Sequence, residues 1–228
     1  MGNESFHNFF DNLKTTVDFC IIRHGQSEGN AGQILQGRGE YPLSETGRLQ
    51  AAARGRSIKA ALESLHGKAL LFSSPQGRAS ETALIIAEEA GLPEPVFMDE
   101  LMEMSLGIWT GKVWDEVRDK EPSLWADFRA RSWDAIPGAE SSTSLYDRAL
   151  RAWAALCAAA AAQSAEKVIA VSHGGLIQWL LRSSFQCRTW FPLFHLSNCG
   201  LSRLHVEPTE AGQGAIQYWE EIDTPLPL

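Results

Sequence analysis

Phe19-Cys20-Ile21-Ile22-Arg23-His24-Gly25 runs from four apolar side chains straight into a cation, an imidazole and a glycine. The apolar part does not alternate with polar residues, so both of its faces must be covered, as in a parallel strand lying between helices. Two other stretches repeat the arrangement. Ala69-Leu70-Leu71-Phe72 leads into Ser73-Ser74-Pro75-Gln76-Gly77-Arg78, and Val168-Ile169-Ala170-Val171 leads into Ser172-His173-Gly174-Gly175. Helical patterns separate the three, over residues 44–65, 78–90 and 141–163. In the last of these Leu145, Ala149, Trp153, Leu156 and Ala160 recur at steps of three and four, which marks one buried face, and Ser141 to Thr143 offer its start cap.

Strands alternating with helices predict an α/β fold, here a three-layer α/β/α sandwich around a mostly parallel sheet. Residues 204–207 and 216–222 read as later strands joined by the turn-like 208–214 segment, one of them running antiparallel at an edge. Between Gly107 and Gly138 a stretch rich in tryptophan (Trp109, Trp114, Trp125, Trp133) reads as a helical insertion capping the carboxyl end of the sheet. Packing between cap helices is the first reading of those rings, and an apolar wall for a leaving group the second. A single domain over residues 1–228 is expected.

With 228 residues, 44% hydrophobic and 21% charged, the chain can bury a core without metal or disulfide support. A formal charge of −8 argues against nucleic acid and anionic membrane as partners, so any anion site must be local. Cys20, Cys157, Cys187 and Cys199 are scattered, with neither zinc spacing nor a disulfide framework, and a reducing cytoplasm is the expected location. The first seventeen residues include Glu4 and Asp11 and no apolar run, which opposes a signal peptide. Phe6 stands where myristoylation needs Ser or Thr, and no span reaches membrane length. The oligomeric state stays open, a homodimer being one arrangement.

Ligands of open α/β sheets bind beyond the carboxyl ends of the strands, so Arg23, His24, Arg78 and His173 are predicted to meet at one rim. Two guanidinium forks and two imidazoles suit a dianionic phosphate, and a helix beginning after Gly174 would add free N–H groups and a positive dipole. An Arg-His-Gly tripeptide alone arises by chance in roughly one such chain in a hundred. Its placement with the other two motifs carries the weight. Other chemistries fail on spacing: no cysteine is followed six residues later by arginine, Gly111-Lys112 lacks the rest of a P-loop, and Ser172 is outside a Gly-x-Ser-x-Gly elbow. The histidines form no i, i+4 metal pair, and His7, His66, His195 and His205 read as surface or core residues.

At these residues the sequence resembles the histidine phosphatase superfamily, the phosphoglycerate-mutase-like group, and its phosphatase branch more than its mutases. The resemblance is carried by Arg23 through Asn30, Leu35-Gln36-Gly37-Arg38, Pro42-Leu43-Ser44 with Gly47, Ser73-Ser74-Pro75 to Arg78-Ala79 with Glu81-Thr82-Ala83, Leu101-Met102-Glu103 with Gly107, Trp109 and Gly111, and Val171 to Gly175. It implies a small phosphate ester as substrate, a phosphohistidine on His24, Arg23, Arg78 and His173 as clamps, and Glu103 as proton donor and later base, with no metal or cofactor. Asn30, Ser27, Gln36, Gly37 and Gly174 would complete the substrate site. Thr110 stands where the family often has an acid, Gln76 where it often has an apolar residue, and Ala139 where it often has glycine. A mutase that passes the phosphoryl group to a sugar acid uses the same residues, and a noncatalytic phospholigand-binding module would keep the fold alone.

The physical chemistry of the cluster divides the histidines independently. Neighbouring arginines disfavour protonation of His24 and leave it nucleophilic, whereas His173 is expected to be the cation beside the phosphate.

Overall fold

The computed structural model describes residues 9–63, 68–191, 193–209 and 214–226. Six strands form one sheet in the order β3-β2-β4-β1-β5-β6, where β1 is Val17–Arg23, β2 Lys68–Ser73, β3 Val96–Phe97, β4 Ala165–Ser172, β5 Leu201–Pro208 and β6 Ala215–Thr224. The pairs β1–β4, β4–β2 and β2–β3 are parallel, while β5 lies antiparallel to β1 and β6 antiparallel to β5. β5 therefore runs against the four parallel strands, and the edge strand β6 pairs antiparallel with it, which is the antiparallel edge that the sequence predicts.

The unalternating runs are apolar because successive residues feed two different cores. Phe19 and Ile21 of β1, with Val168 and Ala170 of β4, face one cluster; Cys20 and Ile22, with Ile169 and Val171, face the other. The first cluster is covered by α6 (Ser142–Gln163) and α7 (Gly174–Ser184), the second by α2 (Glu45–Leu62) and α3 (Gly77–Ala90). All five residues predicted for the inner face of α6 are buried. Ser44 and Ser141 cap α2 and α6 by accepting from the amides of Gly47 and Ser144. The first long helix closes at Leu62, and its predicted end at Leu65 lies outside the described residues, as do positions 210–213 of the predicted turn. The two-residue β3 was not foreseen, since it is too short and too exposed to carry a hydrophobic pattern.

A short helix, α1 (Glu28–Ala31), follows β1, and α4 (Trp114–Lys120) and α5 (Pro122–Arg131) form the cap, flanked by 3₁₀ turns at Gly107–Trp109 and Ser132–Ala135. Trp109 is fully buried, with its indole N–H on Glu121, and its ring sits 5.3–6.2 Å from those of Phe128, Trp133 and Trp125. The tryptophan-rich segment is thus a satellite core joined to the main one.

Candidate active site

The carboxyl ends of β1, β2 and β4 bring the three polar motifs together. His24 is 2% exposed. The amide of His24 donates to Ser172 O at 2.9 Å and its carbonyl accepts from Asn198 Nδ2 at 3.1 Å, so neighbouring strand ends fix its backbone. Its Nδ1 lies 2.7 Å from Gly25 O. A carbonyl only accepts, so Nδ1 carries the ring proton and the Nε2 lone pair is left free; Arg78 Nε donates to it at 3.2 Å.

Arg78, at the start of α3, is held by a loop that offers carbonyls: Nη1 donates to Gly39 O at 2.9 Å and Nη2 to Gly37 O at 2.8 Å. Arg23 donates from Nη1 to Leu196 O at 2.6 Å, while its buried Nε has no partner among the described residues. His173 is completely buried, its ring centroid 5.1 Å from that of His24. Its Nε2 is 2.8 Å from Ser74 Oγ, and its buried Nδ1 is also unpartnered. An unpaired buried polar atom costs about 1–3 kcal/mol. Two of them beside one nucleophile fit an oxyanion that both would contact.

Glu103 departs from the expected arrangement at the start of α7. Its carboxylate accepts from Gly175 N at 3.1 Å, Leu176 N at 3.2 Å and Met104 N at 2.9 Å. The helix terminus predicted to receive the phosphate thus holds the carboxylate of Glu103 with its Gly175 and Leu176 amides, and the Gly174 amide is not taken by it. Gly175 is required for this contact: a Cβ there would lie 2.4 Å from Glu103 Oε1. Gln76, noted above as unusual, ties acid to clamp, accepting from Glu103 N at 2.6 Å and donating to Gly37 O at 3.4 Å.

A cavity of about 390 Å³ opens over His24, and Arg23, Arg78, Glu103, Asn30, Gln36, Gly37 and Gly174 all lie on its wall. Asn30 turns its Oδ1 toward Ser27 N at 3.1 Å and Asn198 Nδ2 at 3.2 Å, which leaves its amide nitrogen for a ligand. Ser27 is a correction. It is fully buried off the wall, accepting from Asn30 N at 3.1 Å and lying 2.7 Å from Gln36 Oε1, so it caps α1 and positions Asn30 and Gln36 instead of touching substrate. His173 is not on the wall itself, but unlike Ser27 it keeps an unpartnered atom, Nδ1, on a ring 5.1 Å from that of His24.

Both histidines have pKa values well below the ordinary 6.5. Burial is the main cause for each, joined by Arg23 and Arg78 for His24, and by Arg78, His24 and Arg23 for His173. The direction for His24 is the one expected of a neutral ring; for His173, expected to be a cation beside a phosphate, burial and the same arginines act in the ligand-free protein without that anion's charge.

Three contributors escaped the sequence reading. Ser74 and Asn198 act through their neighbours, and Arg148 binds the carboxylate of Glu140 with two nitrogens at 2.9 and 2.8 Å and the carbonyls of Glu100 and Met102 at 3.1 and 2.5 Å, anchoring the segment before Glu103. Of the three, Ser74 alone stood inside a quoted motif, Ser73-Ser74-Pro75, though with no role assigned to it. Away from the cavity, at the other end of β1, Asp18, His205 and Glu220 come close enough to share a cation, but Asp18 is already bonded to His205 at 2.7 Å and to Lys167 at 3.3 Å. His7 and His66 lie outside the described residues.

Known proteins place this geometry. A metal-independent phosphoserine phosphatase of Arabidopsis thaliana is 34% identical over 164 residues, covering 71% of this chain and 66% of that protein. A probable phosphoglycerate mutase of Salmonella paratyphi C is 29% identical, with 83% and 85% coverage. Among solved structures, a mycobacterial glucosyl-3-phosphoglycerate phosphatase in complex with VO3 superposes with a TM-score of 0.77 at 25% identity, covering 91% of this chain and 99% of that one. Residues 19–220 match the sequence model of the histidine phosphatase superfamily (branch 1), and with that match over most of its length this chain belongs to that superfamily.

Proposed function

We propose that this protein is a phosphomonoesterase that works through a phosphohistidine on His24. The observation that carries the reading is the orientation of His24: with Nδ1–H spent on Gly25 O, the Nε2 lone pair faces the Arg78 guanidinium on the cavity wall. A phosphate bound there would draw Arg78 Nε from Nε2 onto its own oxygens, with Arg23, the Gly174 amide, the Asn30 amide nitrogen and His173 supplying further donors. Nε2 then bonds to phosphorus as the ester P–O bond breaks, and Glu103, entering protonated, passes its proton to the departing oxygen. In the second half, the Glu103 carboxylate takes a proton from water as that water attacks phosphorus. The P–N bond breaks, its electron pair returns to Nε2, and inorganic phosphate leaves. Transfer of this kind needs positioning and charge neutralisation, which the two arginines provide.

The four cysteines are free thiols, three of them buried, which supports a reducing compartment such as the cytoplasm as the site of action. Rapid quenching during turnover of a radioactively labelled aryl phosphate should trap an acid-labile, base-stable adduct on His24. Full turnover with no adduct at any quench time would overturn the covalent route.

A further inference from the structure

The phosphate end of the cavity holds its cations, and the rest of the wall is apolar. Beyond Arg23, Arg78 and the two catalytic side chains, the lining passes to Trp114, Phe128 and Trp133 of the cap and to Trp190, Leu193 and Phe194 of the segment after α7. Of the cap's cations, Lys112 is paired with Glu121, Arg118 with Asp115 and Asp119, Lys120 with Glu116 and Arg131 with Asp127, while Arg129 is exposed on α5. None of these lines the cavity, nor does Arg38, which reaches Glu103 O and Glu140. Apart from the small hydroxyl of Ser132, the polar side chains on this part of the wall have partners. Gln178 is bonded through both ends of its amide to Phe194, and His195 at the rim is 3.8 Å from the carboxylate of Asp223.

We propose that the substrate is a phosphate monoester of an uncharged, apolar alcohol, aromatic or hydrocarbon, whose body packs between the cap rings and the side chains of Trp190, Leu193 and Phe194. The proposal rests on the phosphatase reading and narrows it. A leaving group bearing its own carboxylate, as in a phosphoserine or a phosphoglycerate, would be stripped of water against indole and phenyl rings with no second cation to receive it. An apolar body gains from the same desolvation. The tryptophans split between the two roles considered at the outset: Trp109 and Trp125 lie off the wall within the satellite core, and Trp114 and Trp133 face both that core and the cavity.

The test compares primary alkyl esters, so that leaving-group chemistry is matched. For 2-phenylethyl phosphate and n-octyl phosphate, kcat/KM should exceed that for phosphoserine and 3-phosphoglycerate on the order of a hundredfold. Leu193 is 56% exposed at the mouth, and Leu193→Arg should narrow that gap at least about tenfold by giving a carboxylate its partner, with the fold undisturbed. Equal or faster hydrolysis of phosphoserine or phosphoglycerate by the wild-type protein, or interconversion of 2- and 3-phosphoglycerate, would overturn the proposal. The quench experiment separates the two levels: a trapped phosphohistidine with reversed selectivity sinks only the apolar substrate, whereas no adduct from any ester sinks the phosphatase mechanism itself.

Discussion

The two ends of the cavity are built differently. At the phosphate end, polar side chains are fixed by main-chain groups: Arg78 by the carbonyls of Gly37 and Gly39, Glu103 by three amides, His24 by Gly25 O. At the cap end, neither α4 nor α5 has a side-chain cap bond. Cohesion there comes from ring contacts among Trp109, Trp114, Trp125, Phe128 and Trp133, with solvent-screened ion pairs on the outer surface. Hydrogen bonds to a sheet rim tolerate almost no displacement, while ring packing accepts many combinations of similar volume. On the proposed function, chemistry would sit on the first kind of construction and selectivity on the second.

The sharpest way to break this contrast is at the nucleophile. His24→Ala should reduce kcat by about a thousandfold or more for every ester, apolar or charged, because it removes the step they share. Circular dichroism should show the fold retained. If the loss depended on the leaving group, the phosphate end would not be the common chemical element.

Glu103 stands at the boundary and should give an effect that depends on the leaving group. Glu103→Gln is expected to slow alkyl phosphates by about 10²- to 10⁴-fold in kcat, and p-nitrophenyl phosphate far less, since nitrophenolate departs without a proton. Equal losses for both esters would assign Glu103 a binding role only.

The smallest effect is in pH dependence. With the pKa of His24 held well below 6.5, kcat/KM for an aryl phosphate should show no inflection at 6.5, and its acid limb should lie well below that value. Stability carries the opposite signature. His24 and His173 are neutral in the fold and ordinary in the unfolded chain, so their contribution is complete above pH 6.5 and declines as pH falls below it. The decline should be up to about 1.4 kcal/mol per pH unit for each histidine, read by denaturant titration at pH 7.5 and 5.5. A flat stability profile there would mean that the rings are not buried as neutral groups.

Much of the phosphate end was legible beforehand because its parts are local. An apolar run without alternation must be covered on both sides, and the residue after such a strand must stand at the sheet rim. Arg23, His24, Arg78 and His173 follow from those two rules. Ser74, Asn198 and Arg148 did not, because each acts across the fold: Ser74 on His173 99 positions away, Asn198 on His24 174 positions away, and Arg148 on Met102 46 positions away. Ser27 misled for a related reason. A hydroxyl inside a motif reads as a ligand donor until its partners, Asn30 and Gln36, are seen to occupy it.

The sequence by itself determined the layers, the start caps of the long helices and the placing of His24 at the sheet rim, since periodicity, capping chemistry and strand ends depend on neighbours along the chain. Only the tertiary structure decided which proton His24 keeps, that the start of α7 holds Glu103, that neither histidine is charged at rest, and that the cap offers rings and no cation to the cavity. Those properties depend on burial and on distances between remote segments, and a linear order of residues does not contain them.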